Sequence, residues 1–117
     1  MSILKRIFGG AGAARPSLIE ADALHEQLTK GTAPILVDVR GPAEYSGPLG
    51  HISGSRNIPL EQIPAQAPKL IHEKRPIVLV CHSDRRSSMA AKMLRDAGAP
   101  AISVLRGGMV AWRAAGR

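Results

Sequence analysis

The sequence predicts an α/β fold, a central parallel five-stranded sheet flanked by helices on both faces, and three observations carry that reading. Two segments, Pro34-Ile35-Leu36-Val37-Asp38-Val39-Arg40 and Ile77-Val78-Leu79-Val80, are short, nearly continuous apolar runs rich in β-branched residues, the composition of strands buried on both faces. Strand-like segments alternate along the chain with stretches of helical periodicity, which implies right-handed crossovers between parallel strands. At 117 residues and 44% hydrophobic content, the chain has the size of one domain and the apolar surface for a core without staples.

Taken in order, the elements begin with a short strand at Leu18-Ile19. Glu20 to Lys30 reads as a helix with Leu24 and Leu28 inward and Gly31 as its stop. The run from Pro34 to Arg40 is a central strand. Ala43 to Ser46 forms one helical turn, Asn57-Ile58 a brief strand, and Gln62 to Ile71 a helical stretch interrupted by proline. The strand Ile77 to Val80 leads into a helix from Ser87 to Ala97. There Met89, Met93 and Ala97 recur at i, i+4 and i+8, Leu94 adjoins Met93, and Gly98 ends the element. A strand from Ala101 to Leu105 and a helix from Met109 to Ala115 follow, with Trp112 packed inward and Gly107-Gly108 supplying the turn between them. Sites in open parallel sheets lie off the carboxyl ends of the strands. Asp38, Arg40, Cys81 and Arg106 all fall at or just beyond such ends, so they are expected to share one rim.

The net charge of +7 and a pI near 10.5 raise the question of nucleic acid as a partner. The aromatic residues are only Phe8, Tyr45 and Trp112, which gives no stacking platform, and no nucleic-acid-binding signature is present. The excess positive charge instead suits a solvated basic face or the attraction of small anions. A basic, Gly/Ala-rich leader, residues 1–16, reads as flexible and the remainder, 17–117, as the domain. Lys5 and Arg6 interrupt the leader's apolar stretch too early for a transmembrane helix or a signal-peptide core. A cytoplasmic protein is therefore expected. Ile3, Leu4, Ile7 and Phe8 allow a weaker reading as a short amphipathic anchor, but membrane contact through this tail is not the expectation.

Cys81 is the chain's single cysteine, so it cannot form an internal disulfide and suits a reducing compartment. It stands between the end of a strand and the start of a helix, in the run Cys81-His82-Ser83-Asp84-Arg85-Arg86-Ser87. Backbone N–H groups and the helix dipole favour negative charge there, and Arg85 and Arg86 add to the same sign. The lone cysteine and four dispersed histidines lack the spacing of a metal site, and no cofactor is implied.

This segment resembles the active-site loop of the rhodanese-like domain family, which runs from a cysteine to an arginine five positions on, followed by Ser or Thr. The resemblance extends to "LVDVRGPAEY" (Leu36 to Tyr45), "GHISGSRNIPL" (Gly50 to Leu60) and "RGGMVAWRAAG" (Arg106 to Gly116), in the family's order, and covers Leu18 to Gly116. Two departures are visible: Asp84 stands where the family often has glycine, and Gly47-Pro48-Leu49 looks like a small insertion. Asp tolerates the left-handed conformation better than most residues, so the loop is still expected to close.

The resemblance implies a central five-stranded parallel sheet and a thiosulfate sulfurtransferase in which Cys81 is the nucleophile and becomes a persulfide. His82, Ser83, Asp84, Arg85, Arg86 and Ser87 would form the substrate-binding loop. Arg86 matches the closing arginine, whose fork is expected to bond loop carbonyls or neighbouring carboxylates, and Arg85 is left to meet substrate charge from the rim. Ser87 is read as a helix cap or a donor to the sulfur, with capping preferred. His82 is read as loop lining, since neighbours on a tight turn rarely point at each other; His51 is read as structural. Asp38 and Arg40 look like a pair supporting the loop. The expected partners are a small anionic sulfur donor such as thiosulfate and a thiol or cyanide acceptor, with a protein acceptor also compatible. Two competitors stand beside this reading: a sulfur-carrier or regulatory module with little small-donor turnover, and a phosphatase or arsenate reductase, whose cysteine-arginine loop is one residue longer.

Overall fold

The structure, a computed structural model, describes residues 16–31 and 33–117; the expectations for the leader ahead of Pro16 lie outside the described residues. Strands β1 (Ser17–Ile19), β2 (Ile35–Asp38), β3 (Arg56–Asn57), β4 (Ile77–Val80) and β5 (Ile102–Leu105) form one sheet in the order β1-β5-β4-β2-β3. Every pairing is parallel. The helices are α1 (Ala21–Thr29), α2 (Pro42–Tyr45), α3 (Ile63–His72), α4 (Arg85–Asp96) and α5 (Gly108–Ala114), with a 3-10 turn at Leu60–Gln62. Among the described residues no helix is long and apolar enough to cross a membrane.

All four residues of β2 and of β4 are buried, as their uninterrupted apolar sequence requires of strands covered on both faces. Because successive side chains alternate across a strand, the two strands supply two separate cores. Ile35, Val37, Ile77 and Leu79 pack with Ile63, Ala67 and Leu70 of α3 and with Ala90, Ala91 and Leu94 of α4. Leu36, Val78 and Val80 pack on the other side with Ala21 and Leu24 of α1, Ile52, and Met109 and Trp112 of α5. Trp112 is thus a core residue, and Cys81 belongs to the α3/α4 side.

Helix α4 departs from its predicted form in two ways. It begins at Arg85, two positions before Ser87, and its buried residues are Ser87, Ala90, Ala91 and Leu94, whereas Met89 is 48% exposed and Ala97 is exposed. The small alanines let the helix backbone approach the sheet closely, so they fix its rotation and leave the bulkier Met89 outside. Asp84 is the other departure: it has φ −153 and ψ 3, so the loop closes without a left-handed residue at that position. Helix α3 carries Pro64 in its first turn, where a missing N–H costs nothing, and Pro68 inside, on an exposed position.

Candidate active site

Cys81 follows directly on β4 and is 1% exposed. From it the chain turns through His82, Ser83 and Asp84 into α4, so the first N–H groups of a twelve-residue helix face back toward the strand end. Ser87, in the first turn of α4, closes the circuit: its N–H lies 3.4 Å from Cys81 Sγ and its Oγ lies 3.3 Å from the same sulfur. The Ser87 hydroxyl also reaches the Asp84 carbonyl at 3.2 Å. Asp84, and not Ser87, occupies the N-cap position, so the expected capping role gives way to contact with the sulfur. Among the described residues, the backbone N–H groups of His82, Ser83, Asp84, Arg85 and Arg86 meet no protein acceptor. A run of unpartnered donors next to a buried sulfur is the kind of arrangement that can cradle an anion.

The cradle's shape is set from behind by α5. The Met109 N–H donates to the Cys81 carbonyl at 2.8 Å and the Val110 N–H to the His82 carbonyl at 3.2 Å. With those carbonyls turned toward α5, the loop's N–H groups are free to point the other way. Gly108 makes this approach possible: a Cβ there would run into the carbonyl oxygens of Cys81 and Ser83, and its φ of +55 is itself a conformation that favours glycine. Reading Gly107-Gly108 as a turn alone misses this contact.

Of the two expected kinds of partner, Arg86 takes the neighbouring carboxylate and, among the described residues, no loop carbonyl. Its guanidinium makes a bidentate pair with Glu44, Nη1 to Oε1 at 2.7 Å and Nη2 to Oε2 at 2.8 Å. Glu44 sits on α2 and also accepts the Gly41 N–H at 3.2 Å. The Arg86 hydrogen bonds are the main reason its carboxyl is pulled from 4.5 to about 2, and the Gly41 N–H and the charge of Arg40 act in the same direction. Arg86 in turn holds its proton more firmly, chiefly through Glu44, with smaller Coulombic help from Cys81 and Asp38. Glu44 is not among the residues the sequence singles out, although two adjacent loop arginines are a signal that a carboxylate should be sought nearby.

Asp38 and Arg40 form a second bidentate pair, Nε to Oδ1 at 2.9 Å and Nη2 to Oδ2 at 2.8 Å, with both side chains 1% exposed. Arg40 extends to the Gly50 carbonyl at 2.7 Å, and Asn57 Nδ2 bonds the carbonyls of Asp38 and Arg40 at 3.1 and 2.9 Å. The pair therefore braces the segment around Gly50, and neither member hydrogen-bonds the Cys81 loop among the described residues. His51 stacks on Tyr45 with ring centroids 3.7 Å apart and donates from Nδ1 to the Tyr45 carbonyl at 2.9 Å, a structural arrangement. Arg85, His82, Ser83 and Asp84 are exposed at the mouth. Arg106, just beyond the end of β5 on the same carboxyl rim of the sheet, pairs with Glu20 at 2.8 Å. Among the described residues no group of His, Cys, Asp and Glu is arranged to hold a metal ion.

Comparison with known proteins agrees with this architecture. Residues 20–115 match the Rhodanese-like domain. An uncharacterized protein of Synechocystis is 42% identical over 92 residues, 78% of this chain and 49% of its own length, so the chain spans about half of that relative. A protein of Allochromatium vinosum named sulfurtransferase is 33% identical over 94 residues, 80% of this chain and 85% of its own. Among solved structures, a Rhodopseudomonas palustris protein of unknown function, described as a possible tyrosine phosphatase, superposes with a TM-score of 0.80 at 25% identity, covering 96% of this chain and 89% of that one.

Proposed function

The chain belongs to the rhodanese-like domain family, and from that premise we propose that it is a sulfurtransferase that moves a sulfane sulfur through a Cys81 persulfide. The supporting observation is the set of unpartnered N–H groups from His82 to Arg86 around a sulfur that already touches Ser87. In the first half-reaction the Cys81 thiolate attacks the outer sulfur of thiosulfate, the S–S bond breaks, and sulfite leaves with the electron pair. In the second, a thiophilic acceptor such as cyanide or a thiolate attacks the outer persulfide sulfur and releases the Cys81 thiolate. Each step exchanges one sulfur bond for another, so no external oxidant or reductant is required. The cradle's task is to hold charge on the terminal persulfide sulfur, as an oxyanion hole holds an alkoxide. The Ser87 N–H is placed to donate to the sulfur, the residue's single hydroxyl proton having the Asp84 carbonyl as an alternative acceptor, and exposed Arg85 to draw in an anionic donor.

The proposal brings with it a sulfane-sulfur donor, a thiophilic acceptor and a reducing, cytoplasmic setting, which suits a free thiol with no second cysteine in the sequence. The phosphatase reading, which the similarity to the Rhodopseudomonas protein brings forward, meets two obstacles. The loop from Cys81 to Arg86 holds six residues, one fewer than the cysteine-arginine loop of the phosphatases, and a ring of amides that small suits a single sulfur better than a phosphoryl group with three equatorial oxygens. Asp84, the loop's own carboxylate, is poorly placed to protonate a leaving oxygen on the far side of that group.

Intact-mass spectrometry after mixing with thiosulfate tests the proposal. Wild-type protein should gain the mass of one sulfur atom, lost again on addition of cyanide, and Cys81→Ser should gain none. Hydrolysis of an aryl phosphate that exceeds sulfur transfer and vanishes in Cys81→Ser would establish the phosphatase instead. Sulfur loading without multiple turnovers would mark a carrier module.

A further inference from the structure

A cavity of about 510 Å³ opens between α1 and α5. No residue from Cys81 to Ser87 lines it, and its floor residues Ile52 and Trp112 belong to the core on the opposite side of the sheet from Cys81. The volume falls in the range of roughly 300–1,000 Å³ usual for sites that take small organic molecules.

Two chemistries meet in the lining. Ile52 and Trp112, 3% and 5% exposed, make an apolar floor, with Leu28 of α1 beside them. The ionisable side chains around that floor are His25, His51, Arg113 and Arg117, and among the described residues no carboxylate lines the cavity. Arg117 is already paired, with Asp22 at 2.8 Å. Arg113 is not. Its Nε donates to the Leu49 carbonyl and its Nη1 to the Arg117 carbonyl, both at 2.8 Å, and its Nη2 reaches the His51 carbonyl at 3.5 Å, with no carboxylate partner among the described residues. Neutral carbonyls fix the guanidinium in place without cancelling its charge, and a guanidinium has more N–H groups than these bonds use. His25, whose ring centroid lies 6.2 Å from that of Trp112, likewise has no hydrogen-bond partner among the described residues.

A small inorganic anion would leave the apolar floor unused, and a neutral apolar molecule would leave the cation unmet. We propose that this cavity binds a small organic carboxylate with an apolar body, the carboxylate on Arg113 and the body against Leu28, Ile52 and Trp112. Its occupant is neither sulfur donor nor sulfur acceptor, because the cavity and Cys81 lie on different sides of the sheet. The site therefore stands or falls independently of the chemistry at Cys81.

Trp112 is the chain's single tryptophan, so its indole N–H gives one unambiguous resonance at the cavity floor in proton–nitrogen correlation NMR. Titration with hydrocinnamate should shift that resonance saturably. Hydrocinnamamide, the same body without the charge, should bind about tenfold more weakly, the worth of a hydrogen bond to a charged group. Arg113→Gln keeps N–H donors for the carbonyls and removes the charge, and His25→Glu adds a carboxylate to the lining from the middle of α1. Each should weaken hydrocinnamate by a similar factor. Absence of a saturable shift in wild-type protein would overturn the proposal. So would equal affinity for acid and amide, the mark of an apolar pocket indifferent to charge. Undiminished binding in both variants, or in His25→Glu where Arg113→Gln does not fold, would put the anion elsewhere and overturn it as well.

Discussion

Two arginine–carboxylate pairs flank the site, alike in bidentate geometry and opposite in surroundings. Asp38–Arg40 is sealed, with both side chains 1% exposed, and its remaining hydrogen bonds go to backbone carbonyl and amide groups of its own layer. Glu44–Arg86 is open, 40% and 36% exposed, and joins a short helix to the closing position of the cysteine loop. Two ions removed from water need each other, whereas two ions still in contact with water gain little from pairing. The sealed pair is therefore a matter of folding, and the open one a matter of where the loop sits.

That contrast is most severely tested by Arg40→Ala. It leaves the Asp38 carboxylate buried without its partner and the Gly50 carbonyl without its donor, and should lower unfolding free energy by about 3–5 kcal/mol in chemical denaturation. A loss below about 1 kcal/mol would erase the distinction, since that is what an exposed pair costs.

Gly108→Ala follows in size. The added Cβ meets the carbonyls of Cys81 and Ser83 in a positive-φ conformation, so the cost should be on the order of 1–3 kcal/mol and sulfur loading should fall sharply as the cradle loses its backing. Full loading at wild-type rate would mean that α5 does not shape the cradle.

Glu44→Gln sharpens the other side. Stability should drop by less than about 1 kcal/mol, because solvent screens a pair this exposed, while the loading rate falls as Arg86 loses its anchor. The sign of the pH dependence follows from the carboxyl's displacement from 4.5 to about 2. A depressed carboxyl stabilises the fold fully above the ordinary carboxylate range and loses that contribution as pH falls toward 2. Wild-type and Glu44→Gln unfolding curves should accordingly converge under acid and separate, by that small amount, at neutral pH.

The smallest effect is expected from Arg85→Ala, because Arg85 is exposed and has no ion-pair partner among the described residues. Stability should be unchanged, the Michaelis constant for thiosulfate should rise a few-fold, and added salt should blunt the difference. A fall in kcat with an unchanged Michaelis constant would transfer Arg85 from the rim to the reacting atoms.

The sequence made some of this legible and concealed the rest for physical reasons. The strand Ile77–Val80 has the predicted bounds, and the five strands, the inward Trp112 and the position of Cys81 at a strand end follow from local pattern. The rotation of α4 does not, because periodicity ranks Met89 as inward by its hydrophobicity while close packing selects Ala90 and Ala91. Glu44 escapes because its partner lies 42 residues away, and only the fold brings α2 under the loop. Gly108 escapes because a glycine's local reading is a turn, whereas its purpose here is two carbonyl oxygens on a different segment.

The sheet order β1-β5-β4-β2-β3 places the first strand beside the fifth, and the cysteine loop takes its backing hydrogen bonds from residues 109 and 110. A chain emerging from a ribosome thus exposes Cys81 before the segment that positions its loop has been made. Strand β1 likewise has no sheet neighbour until β5 appears. Folding must wait for these distant pairings, which is the slow regime of chain closure. During synthesis the thiol exists for a time without that backing, open to whatever oxidants or electrophiles surround the nascent chain, and the hydrogen bonds from Met109 and Val110 that fix its loop form only when α5 docks.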